Sequence, residues 1–512
     1  SARADDGGGG HRWFDAFYSE ALHSPLPATV NKSPGIIPAT IPPDDSYPDP
    51  SGSMGIHNNA GTTTTANNAF FQSLGTNGRS CGTCHLPSNG MSVSAANIRQ
   101  RFKDTKATDP IFAPFDGATC PDAVPESFTK GSPVGGNKGK GNISDITNLS
   151  DPNNPFRLVV NKGLIRIPLP RPANAEFTLT VVNDVTKCQD KQVDVNGTPT
   201  PMISFYRRPL MSSNLLFATN AAISFTGGPA LAPVMWDGRE TSSSPDAALR
   251  QQAIDATFGH AQATPPGPTD AQVQQIMDFE KSVFSAQISD DDARSLTDLG
   301  ALGGPKNLAL RPLQANFVPP GVPGQTFDEY TSWLNLSNNA EKKNQRASVA
   351  RGQGIFNTLT FTVNGVAGFN ELVGNNAQTQ CSVCHGIRNA GTDPIAVPFA
   401  TRNLGISGDH PAAFARPDLP LFHVSCIDGA PTTFNGKDFD IRDLGQGLIT
   451  GKCADIGKFK VPQLRGLAGR APYFHDGSAD TLDDVVTFYD RRFSIGLTKD
   501  QTRDLVNFLK TL

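Results

Sequence analysis

The sequence has no apolar run approaching the ~20 residues that a bilayer-spanning helix needs, so no transmembrane segment is expected. Nor does it hold a block of one charge. Across 512 residues, 44 Lys and Arg face 48 Asp and Glu, a formal net charge of −4. That balance argues against a nucleic-acid partner. The opening SARADDGGGG lacks both a basic and an apolar segment, and reads as a mature or trimmed start rather than a signal peptide. Cysteine, methionine and histidine are sparse, at eight, six and nine residues. Their gaps are uneven as well: no His lies between His85 and His260, and no Met follows Met277. Each gap removes a potential metal ligand from a long stretch of chain. The length corresponds to about three domains at ~150 residues each, ample for a buried core.

Against this background two short strings stand out. CGTCH occupies Cys81 to His85 and CSVCH occupies Cys381 to His385. Cys-x-x-Cys-His is the attachment signature of c-type haem. The cysteines, about one helical turn apart, reach the two vinyl groups of one porphyrin, and the adjacent His points at the iron. Zinc half-sites would need further Cys or His close by, and neither neighbourhood supplies them. Two covalently bound c-type haems are therefore expected, on Cys81, Cys84 and His85 and on Cys381, Cys384 and His385. The remaining cysteines, Cys120, Cys188, Cys426 and Cys453, are even in number. c-Type haem is attached outside the cytoplasm, where disulfides also persist, so the periplasm is the expected compartment. Cys120–Cys188 and Cys426–Cys453 are the simplest pairing, although spacing does not establish connectivity.

The expected fold class is mainly α: two cytochrome c-type haem domains with a partly β insertion and a Pro-rich N-terminal arm. The arm covers 1–60. The first haem domain covers 61–340 with an insertion at 105–205, and the second covers 341–512. NNAFFQSL (67–74) reads as a short helix before the first motif. Within the insertion GSPVGGNKGKG (131–141) is a flexible loop, while RLVVNKGLIRIPLP and EFTLTVVNDV alternate as a hairpin or small sheet would. Helical patterns return at 247–256 and 271–284. A Pro/Gly-rich stretch at 301–325 separates the halves, and ARGQGIFN (350–357) begins the second. At the end of the chain Thr498 and Gln501 form a capping box, and Leu505, Val506, Phe508, Leu509 and Leu512 share an apolar face.

Three further strings, MWDGR (235–239), FKVPQLRGLAGRAPYFHDGS (459–478) and TLDDVVTFYD (481–490), accompany the two ordered haem motifs. Together they resemble the bacterial dihaem cytochrome c peroxidase/MauG superfamily over about 61–104 and 205–512. The resemblance implies that hydrogen peroxide meets the N-terminal haem and that the C-terminal haem stores or relays electrons. Conventional members carry a second His on a loop soon after the first motif. Here no such His exists, so the first haem is expected to be open or water-bound; His57, upstream, is the alternative ligand. Conventional members place Met opposite the second proximal His. Here no Met follows the second motif, and the superfamily's sixth-ligand position, 14 residues after the His of YFHDG, falls on Tyr489. MauG-like members carry Tyr there, and a phenolate stabilises oxidised iron whereas Met raises the potential. The other readings are Tyr489 as a core residue, or His410, His423 or His475 as the ligand.

The same resemblance implies further roles. Trp236 is the tryptophan that relays holes between the haems. Arg239 is either a partner of a haem propionate or a member of a surface ion pair. The family's distal Gln and Glu align with Gln252 and Gln262, so the carboxylate base is missing; His260 or Asp255 takes over proton transfer, and Phe258 intrudes on the site. This departure resembles a more distant branch that includes BthA-like enzymes and rubber oxygenases. A calcium ion between the domains would be held by Asn220 and the carbonyls at Arg470 and Pro472. The implied electron donor is a small cytochrome c, a cupredoxin or a protein side chain. Two competing functions stay open: an oxygenase that cleaves an apolar substrate with O₂, and a dihaem electron carrier.

Overall fold

The computed structural model describes residues 37–124, 147–195, 198–314, 325–334, 336, 341–431 and 435–512. The 131–141 loop, most of the N-terminal arm and residues 315–324 of the Pro/Gly-rich stretch fall outside them. Four of the longer helices each start where the sequence provides a cap. Ser244 caps Pro245–Gly259, and capping boxes start Asp270–Ser282 (Thr269 with Gln272), Leu482–Phe493 (Thr481 with Asp484) and Lys499–Lys510 (Thr498 with Gln501). The last helix buries Leu505, Val506, Phe508 and Leu509 against Glu341–Thr358. NNAFFQSL contributes only a 3₁₀ turn, Ala69–Phe71.

Helix accounts for 32% of the chain and strand for 20%, so the secondary structure is mixed and does not of itself read as mainly helical. Part of the strand lies in the expected arm. Asp44–Asp49 and Gly52–Asn58 form a hairpin whose inner strand pairs with Val283–Asp290, and Met54 and Ile56 are buried. Residue 60 is thus no boundary in the fold. The two β-patterned segments of the insertion do not pair with each other. Ile165–Pro170 pairs with Thr198–Arg207, while Phe177–Asn183 crosses to Leu421–Cys426 in the second half. Alternation identifies a strand's buried face but not its partner. The core under these strands joins Phe112, Phe115 and Phe156 to Phe422, Val424 and Ile441, so the insertion is shared by both halves. Both expected disulfides form, Cys120–Cys188 and Cys426–Cys453.

The halves repeat one another around their haem motifs. The MWDGR and FHDGS turns share their backbone conformation. Met235 (φ +63°) and Phe474 (φ +66°) are left-handed, as are Gly238 and Gly477. Val234 bridges Glu240 as Tyr473 bridges Ala479. A capped helix follows each turn, and then a helix with a Thr–Gln capping box. Ten residues past those Thr caps stand Phe279 and Phe508. Phe279 packs on Phe70 and Phe508 on Phe356, and Phe70 and Phe356 in turn flank His85 and His385.

Candidate functional site

Each CxxCH string forms a tight turn: a 3₁₀ helix at Cys81–Thr83 and a single helical turn at Cys381–Cys384. In each, the His Nδ1 lies beside the carbonyl six residues on, Met91 O at 2.9 Å for His85 and Gly391 O at 2.6 Å for His385. A carbonyl fixes the proton on Nδ1 and leaves Nε2 to bind a metal. Burial pushes both imidazoles down to about 4, the neutral form that ligates. The four cysteines form no disulfide. Burial pushes the Cys381 and Cys384 thiols up to about 12 and raises Cys81 and Cys84 as well, the opposite of a redox Cys-x-x-Cys pair. Among the described residues no three His, Cys, Asp or Glu side chains gather into a metal cage, which leaves the zinc reading without ligands.

A cavity opens over each motif. Cavity one, lined by Cys81, Cys84 and His85, encloses about 1570 Å³ of non-atom space including its mouth, and cavity two, lined by Cys381, Cys384 and His385, about 1720 Å³. Trp236, Arg208, Lys460 and Arg470 line both. Among the described residues these three cations pair with no carboxylate. Arg208 donates to the carbonyls of Lys162, Gly163, Val93 and Arg470, Lys460 to Ala218, and Arg470 to Arg465 and Gln463. Burial pushes Arg208 down to about 9, Arg470 to about 10 and Lys460 to about 8. Buried charge without counter-charge is costly, and the propionates of two haems would supply it. The residues therefore fit two covalent haems: thiols for the vinyl groups, a neutral imidazole for each iron and cations for the propionates.

In cavity one Gln252, His260, Trp236 and Arg239 all line the wall. Gln252 stands eight residues past the Ser244 cap. His260 Nδ1 lies 2.5 Å from Asp116 Oδ2, and the other oxygen of Asp116 is paired with Arg79. Arg239 also lies in a buried ion pair with Asp237, at 2.6 Å. Asp255 accepts from Gln251 and faces Glu240 off the cavity wall; burial, then Asp255 itself, pushes the Glu240 acid up to about 8. Gln262 is turned under the end of its helix onto Asn77, and Phe258 packs against Gly267, so neither takes the distal position. His57 pairs with Asp44 at 2.7 Å, away from the cavity. Glu280, which the sequence reading passed over, also lines cavity one. It is buried, its Oε2 has no hydrogen-bond partner among the described residues, and burial pushes its acid up to about 8. The repeat puts Leu509 at the equivalent place in cavity two.

Tyr489 lines cavity two. It stands eight residues past the Thr481 cap, the helix position that Gln252 holds in cavity one. No hydrogen bond of its hydroxyl is present among the described residues, and burial raises its pKa, making the phenol a weaker acid. Of the competing histidines only His475 lines this cavity. It is stacked on Phe459 at 3.9 Å between ring centres, with Ser407 Oγ 3.2 Å from Nε2. His423 pairs with Asp440, and His410 sits beside Arg492 in a separate small cleft. Trp236 donates its indole N–H to Arg208 O at 2.7 Å, and its ring lies edge-on to His475 at 6.1 Å.

Two of the three residues expected to hold calcium are engaged within the protein. The Arg470 carbonyl, one of the expected donors, accepts from the Arg208 guanidinium at 2.9 Å, and the Asn220 side chain donates to Leu216 O at 2.9 Å. A cation already satisfies the oxygen that calcium would need.

No family model matches the chain. Among curated proteins it is 34% identical over 143 residues to a cytochrome-c peroxidase of Denitromonas iodatirespirans, covering 26% of this chain and 36% of that protein. It is 45% identical over 79 residues to the cytochrome c551 peroxidase of Nitrosomonas europaea, covering 15% of this chain and 24% of the relative. To the cytochrome c peroxidase of Escherichia coli it is 36% identical over 86 residues, 16% and 18% of the two chains. The matched stretch thus spans about a third or less of each relative. The resemblance to bacterial cytochrome c peroxidases is borne out over that stretch.

Proposed function

We propose that this chain is a periplasmic dihaem c-type enzyme that reduces hydrogen peroxide in the His85 cavity and shares the oxidising equivalents with the second haem through Trp236. The observation that carries the reading is the repeat itself. Equivalent helix positions present a neutral amide, Gln252, to cavity one and a phenol, Tyr489, to cavity two. An amide is a poor iron ligand and a phenolate a good one, so one site is open to substrate and the other closed.

When bound, the haems supply two one-electron iron centres. The overall reaction takes hydrogen peroxide, two electrons and two protons to two waters, with the electrons drawn from a small cytochrome c, a cupredoxin or an oxidisable protein side chain. Gln252 orients peroxide by hydrogen bonding. His260 accepts and returns a proton at Nε2. Trp236, shared by both cavities, carries the hole between them. Arg208, Lys460 and Arg470 hold the propionates and keep the two groups in register.

The test mixes fully ferric holoprotein with cyanide, then with peroxide and a reduced cytochrome, following the Soret and near-infrared bands. Immediate cyanide binding without prior reduction, and peroxide-dependent oxidation of the donor, are expected. A low-spin first haem that binds neither ligand until reduced would overturn the open-site reading. Binding without peroxide turnover, but with O₂ uptake on an apolar polymer, would move the protein to the oxygenase class.

A further inference from the structure

We propose that Asp116, carried by the inserted segment, is a positioning residue that holds His260 as the proton-transferring group of cavity one. The inference rests on the proposed peroxide chemistry of that cavity and assigns a task to a part of the chain outside the superfamily resemblance.

Asp116 sits on the short helix Pro114–Gly117, and its carboxylate is fully buried. One oxygen is paired with Arg79, whose guanidinium is itself anchored on the carbonyls of Pro110 and Ile111, both at 2.7 Å. The other oxygen meets His260 Nδ1 at 2.5 Å. Burial alone would raise this acid, but Arg79 and His260 together hold it below the usual carboxylate range. An ionised carboxylate only accepts hydrogen bonds. Its contact therefore fixes the His260 proton on Nδ1 and leaves the Nε2 lone pair free. The chain is closely packed beside the pair, so that a side chain at Gly117 would meet the Ile111 carbonyl and the Arg79 guanidinium. The His260 backbone is held as well, its carbonyl accepting from Asn77 at 2.7 Å.

The His260 side chain is 38% exposed while it lines the same wall as Gln252. Nε2 takes a proton from the O–H of peroxide and returns it to the departing oxygen as the O–O bond breaks, so that this oxygen leaves as water. The two protons that complete the second water come from solvent, and the two electrons come from the redox donor by way of the haems. A carboxylate that served only to neutralise Arg79 would have no need of an imidazole on its second oxygen.

The test uses ferric holoprotein and cyanide, since HCN must lose its proton to bind. Single variants Asp116→Asn and His260→Ala are expected to slow cyanide association by roughly tenfold or more, and the double variant should be no slower than His260→Ala. An Asp116→Asn effect that persists undiminished without His260, or no effect in its presence, would overturn the inference. If His260→Ala alone changes nothing, the proton-transfer reading of His260 fails first. A second readout needs no Asp116 variant: the cyanide-bound wild type should show a slowly exchanging, hyperfine-shifted imidazole N–H that His260→Ala abolishes. Fast exchange of that proton in the wild type would count against the buried Asp116 contact.

Discussion

Replacing Tyr489 by Phe removes one oxygen and separates two readings by sign. The hydroxyl makes no hydrogen bond among the described residues, and the ring is packed by Phe488, Phe474 and Phe493 at 5.5, 6.4 and 6.3 Å. If Tyr489 only fills space, a haem in cavity two would bury its hydroxyl without a partner among the described residues, at a cost of about 1–3 kcal/mol. Phe would then be neutral or stabilising by about that amount, with both haem spectra unchanged. If the phenolate is the sixth ligand, the variant loses an iron bond that the ring cannot replace. The second haem then turns high-spin, its reduction potential rises, the two-iron oxidised state decays faster, and the thermal midpoint falls. Electron paramagnetic resonance of the ferric protein and thermal unfolding, with haem content checked through Cys381 and Cys384, read both signs at once. Wild-type spectra with an unchanged or higher midpoint would refute ligation. The ligand would then be sought among His410, His423 and His475, of which only His475 lines the cavity.

Glu280 provides a pH test. Its acid is pushed up to about 8 by burial, so between pH ~4.5 and 8 the unfolded chain has released a proton that the folded chain keeps, and stability falls as pH rises through that window. Glu280→Gln should match the wild type near pH 5 and exceed it at pH 8 by on the order of 4 kcal/mol, at about 1.4 kcal/mol per pH unit; a difference in urea unfolding that does not vary with pH would contradict the burial argument. Trp236→Phe loses the 2.7 Å bond to Arg208 O, about 1 kcal/mol. It should slow charge sharing between the haems in stopped-flow near-infrared spectra while leaving cyanide binding intact, and unchanged sharing would remove Trp236 from the path. Chelation with EGTA should leave haem spectra and the unfolding midpoint unchanged, because Arg208 already occupies the Arg470 carbonyl; a calcium-dependent midpoint would show that another set of donors binds the ion.

What could be read from the sequence was local. Five residues suffice to set two thiols and an imidazole side by side, so the CxxCH strings point to c-type haem attachment wherever they fold. Capping is just as short-ranged, and Thr498 with Gln501 forms as expected. Tyr489 and Gln252 were reachable because a helix converts a fixed offset from its cap into a fixed direction. The repeat of Thr–Gln box and Phe in Asp270–Ser282 and Lys499–Lys510 was a legible signal for the equivalence of Glu280 and Leu509, and the sequence reading did not use it. Packing across distance decided the rest. Asp116 and His260 are 144 residues apart, and nothing in FAPFDG marks its carboxylate as the partner of an imidazole. The Phe177–Asn183 pattern showed a strand but not that its partner lies at Leu421–Cys426. That Arg208 donates to the Arg470 carbonyl, an expected calcium donor, was likewise invisible in the sequence. Short-range geometry follows from covalent spacing, whereas the neighbour a buried charge finds is set only when distant segments close around it.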